Sequence, residues 1–215
     1  MKWNSAALLG LMVALCACAE GGTRGSGIST ALLGNVQSVQ PASAAQAASA
    51  PAADSELAGI RVAIEGTNLR SRTDAQGNFE LRGNFEGMIT VVFALPAGGG
   101  QAEIGLNVPA GGTLTLNDVR VDASTGYAMS DRQEVEFDAE ISGIDCEGLT
   151  LALTSRQHAA DDTDVYVLRL DTSTVVDEDG APVPCDALHV GEWAFVQGLV
   201  NPDGTFGHAT VDLQN

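Results

Sequence analysis

A stretch of alternating apolar and polar residues between positions 57 and 93 constrains the fold of this chain most strongly. In an extended strand, such alternation places apolar side chains on one face and polar ones on the other, so the strand can be half buried. A turn is predicted at residues 74–78, where Asp74 can bond its own backbone and Gly77 can adopt a positive φ. A second reversal at Gly87 then predicts a compact antiparallel unit of neighbouring strands. The apolar positions of this unit are Ile60, Val62, Ile64, Phe79, Leu81, Ile89, Val91 and Phe93.

Two further alternating segments, residues 102–108 and 113–121, follow this stretch and are separated by a Pro-Ala-Gly-Gly turn. No amphipathic helix is predicted between them. Short strands divided by Gly, Asp and Asn turns indicate a small antiparallel β-sandwich over residues 55–125.

A second β domain is predicted over residues 131–215. Its first strand has an apolar face, Val135, Phe137, Ala139 and Ile141, and an acidic face, Glu134, Glu136, Asp138 and Glu140. Five more strands are predicted at residues 149–153, 165–170, 174–176, 193–200 and 206–213. Six short strands at this spacing favour a small closed barrel, because closure removes exposed sheet edges.

The first of these domains resembles the carboxypeptidase regulatory-like family of transthyretin-like sandwiches. The matching positions follow a T-D-x-x-G-x-F hairpin and a G-x-x-x-V strand, namely Thr73, Asp74, Gly77, Phe79, Gly87 and Val91. This resemblance implies a non-catalytic module that acts as a spacer, adhesive domain or stabiliser.

The second domain resembles a bacterial family of OB-like barrels, the domain of unknown function five-six-six-six. The matching positions are Leu188, Val190, Gly191, Phe195, Gly198, Asp203, Gly204, Ala209 and Val211. The resemblance implies an OB-like barrel and no particular activity.

The N-terminus predicts an export signal over residues 1–19. Lys2 gives a short positive region, and residues 6–15 are apolar but too few to span a bilayer permanently. The sequence Leu-Cys-Ala-Cys at residues 15–18 is similar to a bacterial lipobox, which implies lipid modification of Cys18. Because Ala19 follows where Asp would favour the inner membrane, we expect an outer-membrane lipoprotein. The alternative is soluble secretion, periplasmic or extracellular, after cleavage behind the A-x-A pattern that ends at Ala19.

Residues 20–54 have the composition of a low-complexity tether, rich in Gly, Ser, Thr, Ala and Gln. Residues 31–39 interrupt it with enough apolar side chains for a first strand of the sheet. The alternative is an unstructured spacer throughout.

The charge of the chain excludes one class of partner. The formal net charge is −18, and 18 of the 28 acidic residues lie from Asp131 onward. Such a surface repels phosphate backbones, so nucleic-acid binding is not expected.

Cys146 and Cys185 are the two cysteines beyond the leader, and we predict a disulfide between them in an oxidising compartment. The histidines, His158, His189 and His208, lack metal-ligand spacing and are predicted at the surface. The acidic segments 161–164 and 177–180 lack the full register of a calcium loop and are predicted as solvated turns. No cofactor or metal is predicted.

No motif of a hydrolase stands out, and the chain is predicted not to be an enzyme. A glycan site would need exposed aromatic side chains, for which Tyr127, Tyr166 and Trp193 are the candidates. Trp193 shares a strand face with Phe195, and both are predicted to fill the barrel core. The sequence thus predicts a non-enzymatic envelope lipoprotein with a structural or binding role at the cell envelope, where its partner is an envelope protein or a glycan. The alternative is a carbohydrate-binding module of the cell surface.

Overall fold

The computed structural model describes residues 29–42, 56–155 and 165–214. The predicted leader with Cys18, most of the tether, His158 and the acidic segment 161–164 lie outside the described residues. Among the described residues, no helix is long and apolar enough to cross a membrane.

The described residues form thirteen β-strands. In chain order they are β1 (Thr30–Gln40), β2 (Arg61–Ile64), β3 (Arg70–Arg72), β4 (Asn78–Gly83), β5 (Gly87–Ala94), β6 (Gln101–Val108), β7 (Thr113–Asp122), β8 (Tyr127–Asp145), β9 (Thr150–Ser155), β10 (Val165–Arg169), β11 (Thr174–Val176), β12 (Trp193–Val200) and β13 (Phe206–Gln214). Short 3-10 turns lie at Pro96–Gly98 and Cys185–Ala187. The all-β prediction is confirmed.

The N-terminal half is built from two groups of strands. β2 pairs with β3 and β5, and β5 pairs with β6. β1 pairs with β4 and β7, and β7 pairs with β8. The two groups face each other through their apolar sides, because Phe79 of β4 packs edge to face against Phe93 of β5, with ring centroids 5.5 Å apart. The alternating positions predicted to point inward at Ile60, Val62 and Ile64 are buried.

Strand β1 occupies the centre of the second group. It runs antiparallel to β4, with Leu32 opposite Leu81, and parallel to β7, with Leu32 opposite Leu114. These three leucine side chains are buried together. The strand therefore covers residues 31–39, for which the sequence suggested either a strand or a spacer.

The predicted antiparallel unit forms in part: β2 pairs antiparallel with β3 and β5, but β4 lies in the other group of strands. The turn at residues 74–78 forms, with the Asp74 Oδ1 atom accepting hydrogen bonds from the backbone N–H groups of Gln76 and Asn78. However, β4 pairs with β1, and β5 pairs with β2. The chain therefore changes layers at residues 74–78 and again before Gly87, because the partner of β4 is the distant strand β1, with Leu32 opposite Leu81.

Strand β8 connects the two halves of the molecule. Its first part pairs with β7 from Tyr127 to Glu136, its middle with β12 from Glu134 to Glu140, and its last part with β9 from Ala139 to Asp145. The boundary predicted between residues 125 and 131 falls within this continuous strand. Both halves share one strand and one connected apolar core.

The C-terminal half is a closed five-stranded barrel in the order β8-β9-β10-β13-β12, with β12 returning to β8. β10 and β13 are parallel, and the other neighbours in the barrel are antiparallel. This is the strand order of an OB-fold. β11 pairs in parallel with β13 outside the closed ring.

The barrel core differs from the prediction at β12. Ala194 and Val196 are buried there, whereas Trp193 and Phe195 are half exposed on the outer face. The reason is register: Ala194 lies opposite Ala139 and Val196 opposite Phe137, both of which point into the barrel. Large aromatic side chains on other strands fill the space instead, namely Phe137, Tyr166 and Phe206.

Gly77 shows how closely the 74–78 turn approaches β1. Its φ is +84°, and a Cβ atom added there would lie 2.2 Å from the carbonyl oxygen of Val36. The same turn accepts a hydrogen bond, since the N–H of Val36 donates to the carbonyl of Gly77 over 2.9 Å. A side chain at this position would push the turn away from β1.

We therefore expect Gly77→Ala to destabilise the protein more than Gly66→Ala. Gly66 also has a positive φ, +73°, but a Cβ there meets no atom within 4 Å. In the Gly66 variant the free energy of unfolding should fall by about 1–2 kcal/mol, because alanine is strained in the left-handed backbone conformation. The Gly77 variant should lose about 1–3 kcal/mol more, because backbone atoms must move. Urea unfolding followed by circular dichroism measures both, and equal losses would contradict the close docking of the turn on β1.

Candidate functional site

The three aromatic residues predicted as a glycan platform do not form one site. Tyr166 is 3% exposed and stacks on Phe206 in the barrel core, so it is not available to a ligand. Tyr127 is 70% exposed at the start of β8, where it lies opposite Asp122. Trp193 lies half exposed on β12, opposite Glu140.

A different feature brings polar side chains together: an open groove of about 510 Å³ on the outer face of β4, β1 and β7. β1 is the middle strand of its floor, and the groove therefore exists only because β1 is inserted between β4 and β7. Two rows of side chains cross the floor. One row is Glu80, Leu33 and Thr115, and the other is Asn78, Asn35 and Asn117.

The asparagine row is held by a chain of hydrogen bonds. The Asn35 amide nitrogen donates to Oδ1 of Asn78 and to the carbonyl of Gln76, each over 2.9 Å. Asn78 in turn donates from Nδ2 to Oδ2 of Asp74 over 3.0 Å. These bonds fix the orientation of two planar amides at one end of the groove.

Asn117 enters the groove through an irregularity in β7. Between Leu116 and Val119, two residues of β7 lie opposite the single residue Asn35 of β1, which is a β-bulge. Asp118, the second residue of the bulge, has a φ of +54°. The hydroxyl of Ser130 on β8 donates to the carbonyl of Asn117 over 2.8 Å and holds the bulge from the other side.

The amide of Asn117 has an unused donor. Its Nδ2 atom is buried and donates to no acceptor among the residues that the structure describes. Buried polar atoms without a partner are rare, and each one costs stability unless a water molecule or a ligand satisfies it.

Charged side chains form the rim of the groove. Arg72 is the last residue of β3, Asp74 lies in the connection between β3 and β4, and Glu80 lies on β4. The Arg72 guanidinium donates to the carbonyl of Gly59 over 2.9 Å, and Glu80 pairs with Arg82. The hydrogen bond from the Asn78 side chain, assisted by backbone N–H groups, lowers the pKa of Asp74, so this carboxylate is ionised at neutral pH.

The predicted disulfide is present. Cys146 and Cys185 are bonded with their Cα atoms 5.8 Å apart, which joins the end of β8 to the 3-10 turn before Leu188. Leu188 is buried against the barrel, so the bridge fixes a segment that otherwise has little regular structure.

The described histidines and acidic turns lie at the surface. His189 contacts Glu192, with Nδ1 3.2 Å from Oε1, and His208 is exposed on β13. The 177–180 turn is closed by the side chain of Asp177, whose Oδ1 atom accepts hydrogen bonds from the backbone N–H groups of Asp179 and Ala181. Within the described ranges, no three His, Cys, Asp or Glu side chains are grouped as metal ligands.

The groove was not predicted from the sequence, because its three asparagines belong to no motif. Asn35 lies in the apolar island of a linker-like segment, Asn78 ends a turn, and Asn117 lies within an alternating strand. The one local signal was the Asn-Asp pair at 117–118, a turn dipeptide inside a strand pattern, which is typical of a bulge. No family model matches this sequence, and no curated protein matches it.

The Asp74 turn gives a prediction for pH. Because the largest cause of the lowered pKa of Asp74 is the Asn78 side chain, Asn78→Ala should raise that pKa toward its ordinary value of 3.8. A folded pKa below the unfolded one gives stability that is present above pH 3.8 and is lost as the pH falls through the folded pKa. The variant should therefore show a smaller loss of stability in acid.

Carboxyl ¹³C NMR titration measures this shift directly. Asp122 is the internal control, because its pKa is lowered mainly by the Ser124 hydroxyl and should not move. An Asp74 pKa that is the same in both proteins would show that Asn78 does not hold the carboxylate.

The disulfide gives a second prediction. The bridge closes a loop with a sequence separation of 39 residues, which restricts the conformational freedom of the unfolded chain. Changing both Cys146 and Cys185 to Ser removes this restriction and should lower the free energy of unfolding by about 4 kcal/mol. Urea unfolding measures the loss, and added reductant should destabilise the native protein but not the double variant. Complete thiol labelling of the native protein without reductant would contradict the bridge.

Proposed function

We propose that this chain is an exported, lipid-anchored protein of the outer membrane that binds a partner at the cell envelope and catalyses no reaction. The observation that carries the proposal is the disulfide between Cys146 and Cys185. Structural disulfides persist in oxidising compartments outside the cytosol. The apolar leader and the lipobox-like sequence ending at Cys18 supply the export signal and the anchor.

The aspartates with shifted pKa values are unsuited to act as general acids. The aspartates with shifted pKa values, Asp74, Asp122, Asp171 and Asp203, all titrate below the ordinary range. Each is held by a hydrogen bond or ion pair within its own turn, for example Asp171 by Arg169 and Asp203 by Thr205. A general acid needs the opposite shift, toward neutral pH. These carboxylates instead stabilise turns and keep the surface acidic.

The architecture fits a module that is held away from a membrane. The described residues begin at residue 29, so ten residues, 19–28, lie between Cys18 and the described fold. The two family resemblances, to carboxypeptidase regulatory-like sandwiches and to OB-like barrels of unknown function, agree with a non-catalytic role. The envelope partner is a protein or a glycan, and the charge of −18 disfavours nucleic acid.

Lipid labelling at Cys18 tests the proposal. In a Gram-negative host supplied with radiolabelled palmitate, the native chain should be labelled and should sediment with the outer membrane. Cys18→Ser should abolish both, whereas Cys16→Ser, which changes the neighbouring cysteine, should abolish neither.

The soluble alternative gives a different result in the same experiment. Cleavage after Ala19 would yield an unlabelled product that begins at Glu20, detectable by mass spectrometry of the soluble fraction. That product would overturn the lipid anchor. Full-length chain in the cytosol with its leader intact would overturn export as well.

A further inference from the structure

We propose that the groove over β4, β1 and β7 binds a neutral saccharide through the amides of Asn35, Asn78 and Asn117. The inference rests on the proposed binding role at the envelope and names the ligand class and the site. It assigns that role to the sandwich face rather than to the aromatic residues Tyr127 and Trp193.

The floor of the groove has the chemistry that a sugar requires. A sugar hydroxyl both donates and accepts a hydrogen bond, and a side-chain amide carries both functions on one rigid plane. Both N–H groups of Asn35 are already used, so this residue offers its Oδ1 atom as an acceptor. Leu33 lies between Glu80 and Thr115 in the adjoining row and gives an apolar surface for the C–H face of a ring. Binding sites for small ligands combine such apolar contact with a few fixed polar groups.

The hydrogen-bond network is organised before a ligand arrives. Asn35 is fixed by two bonds and Asn78 by its bond to Asp74, so neither amide has to be ordered on binding. The carboxylate of Asp74 is ionised and can accept further bonds from hydroxyl groups. Preorganised polar groups raise affinity because less conformational entropy is lost.

The unused donor of Asn117 indicates where the ligand completes the site. Its Nδ2 atom is buried without an acceptor among the described residues, although the bulge places this side chain at the groove. Rotation of the terminal amide about χ2 exchanges the positions of its nitrogen and oxygen. Once this rotation turns Nδ2 toward the open groove, a ligand oxygen can accept its hydrogen bond in place of water.

The charge around the groove selects against anionic ligands. Asp74 and Glu80 lie at its rim, and the whole chain carries a formal charge of −18. Arg72 is the cation among the lining residues, and one of its nitrogen atoms is already bonded to the carbonyl of Gly59. Glu80 is paired with Arg82, so the carboxylate of Asp74 is the main negative charge that faces a ligand. Sulfated or uronic-acid sugars should therefore bind more weakly than neutral ones.

Calorimetric titration of the full chain in detergent tests the proposal. The probes are the neutral tetrasaccharides of glucose, mannose, galactose and N-acetylglucosamine, each with its monosaccharide, and tetragalacturonate as the anionic comparison. We expect at least one neutral tetrasaccharide to bind, and the anionic one to bind more weakly or not at all. Binding of the tetrasaccharide alone indicates a polymeric glycan as the source, and equal binding of the monosaccharide indicates a free sugar.

Three alanine variants locate the binding. Asn117→Ala and Asn35→Ala should each weaken it by about fivefold or more, the loss expected for one hydrogen bond. Asn107→Ala is the matched control, because Asn107 on β6 also has a buried amide atom without a partner in the described part of the chain but lies outside the groove. It should leave affinity unchanged.

Several results would overturn the inference. They are the failure of every neutral probe to bind, tighter binding of tetragalacturonate, and binding that Asn117→Ala leaves intact.

Asn117→Ala removes an unsatisfied buried group, so it should fold at least as well as the native chain and remains informative even if Asn35→Ala does not fold. Palmitate labelling at Cys18 without any sugar binding would reject the groove inference alone, and loss of labelling with sugar binding intact would reject the anchor alone.

Discussion

The insertion of β1 between β4 and β7 is the interaction on which the rest of the N-terminal half depends. β1 pairs with a neighbour on each side, so its backbone groups complete both ladders at once. Without it, β4 would have no strand partner among the described residues, and Leu32 and Val36 would leave the core. An isolated edge of this kind is unfavourable because its backbone hydrogen bonds are unpaired.

The same strand creates the surface feature that we assign to ligand binding. Its inward side chains, such as Leu32 and Val36, close the core, and its outward side chains, Leu33 and Asn35, form the middle of the groove. The alternation of a strand thus supplies stability on one face and recognition on the other. β8 has a comparable double role, since one continuous strand belongs both to the sandwich and to the closed barrel.

The sequence predicted which residues face inward better than it predicted which strands are neighbours. Val135, Phe137, Ala139 and Ile141 alternate strictly with acidic residues, so only one face of the strand can point inward. All four apolar residues are buried. At Trp193, Ala194, Phe195 and Val196, every residue is apolar, so the pattern does not distinguish the two faces. The register against β8 decides it, and register depends on contacts distant in sequence.

Strand pairing and the groove could not be predicted for the same reason. Asp74 and Gly77 determine the turn at residues 74–78 locally, but they do not determine that β4 pairs with residues 30–35. Asn35, Asn78 and Asn117 become neighbours only through that long-range pairing. Neighbouring residues in the sequence determine the turns and the inward face of each strand, whereas the groove forms only when distant strands pair.

Hydrogen exchange at the amides of β1 tests the central claim most directly. The N–H of Ala31 donates to the carbonyl of Gly112 and that of Val36 to the carbonyl of Gly77, each over 2.9 Å. If β1 is an integral strand, these amides should exchange as slowly as those in the middle of β7, because both open only when the sandwich unfolds. Exchange of the β1 amides at the rate of an unprotected peptide, with β7 still protected, would contradict the account.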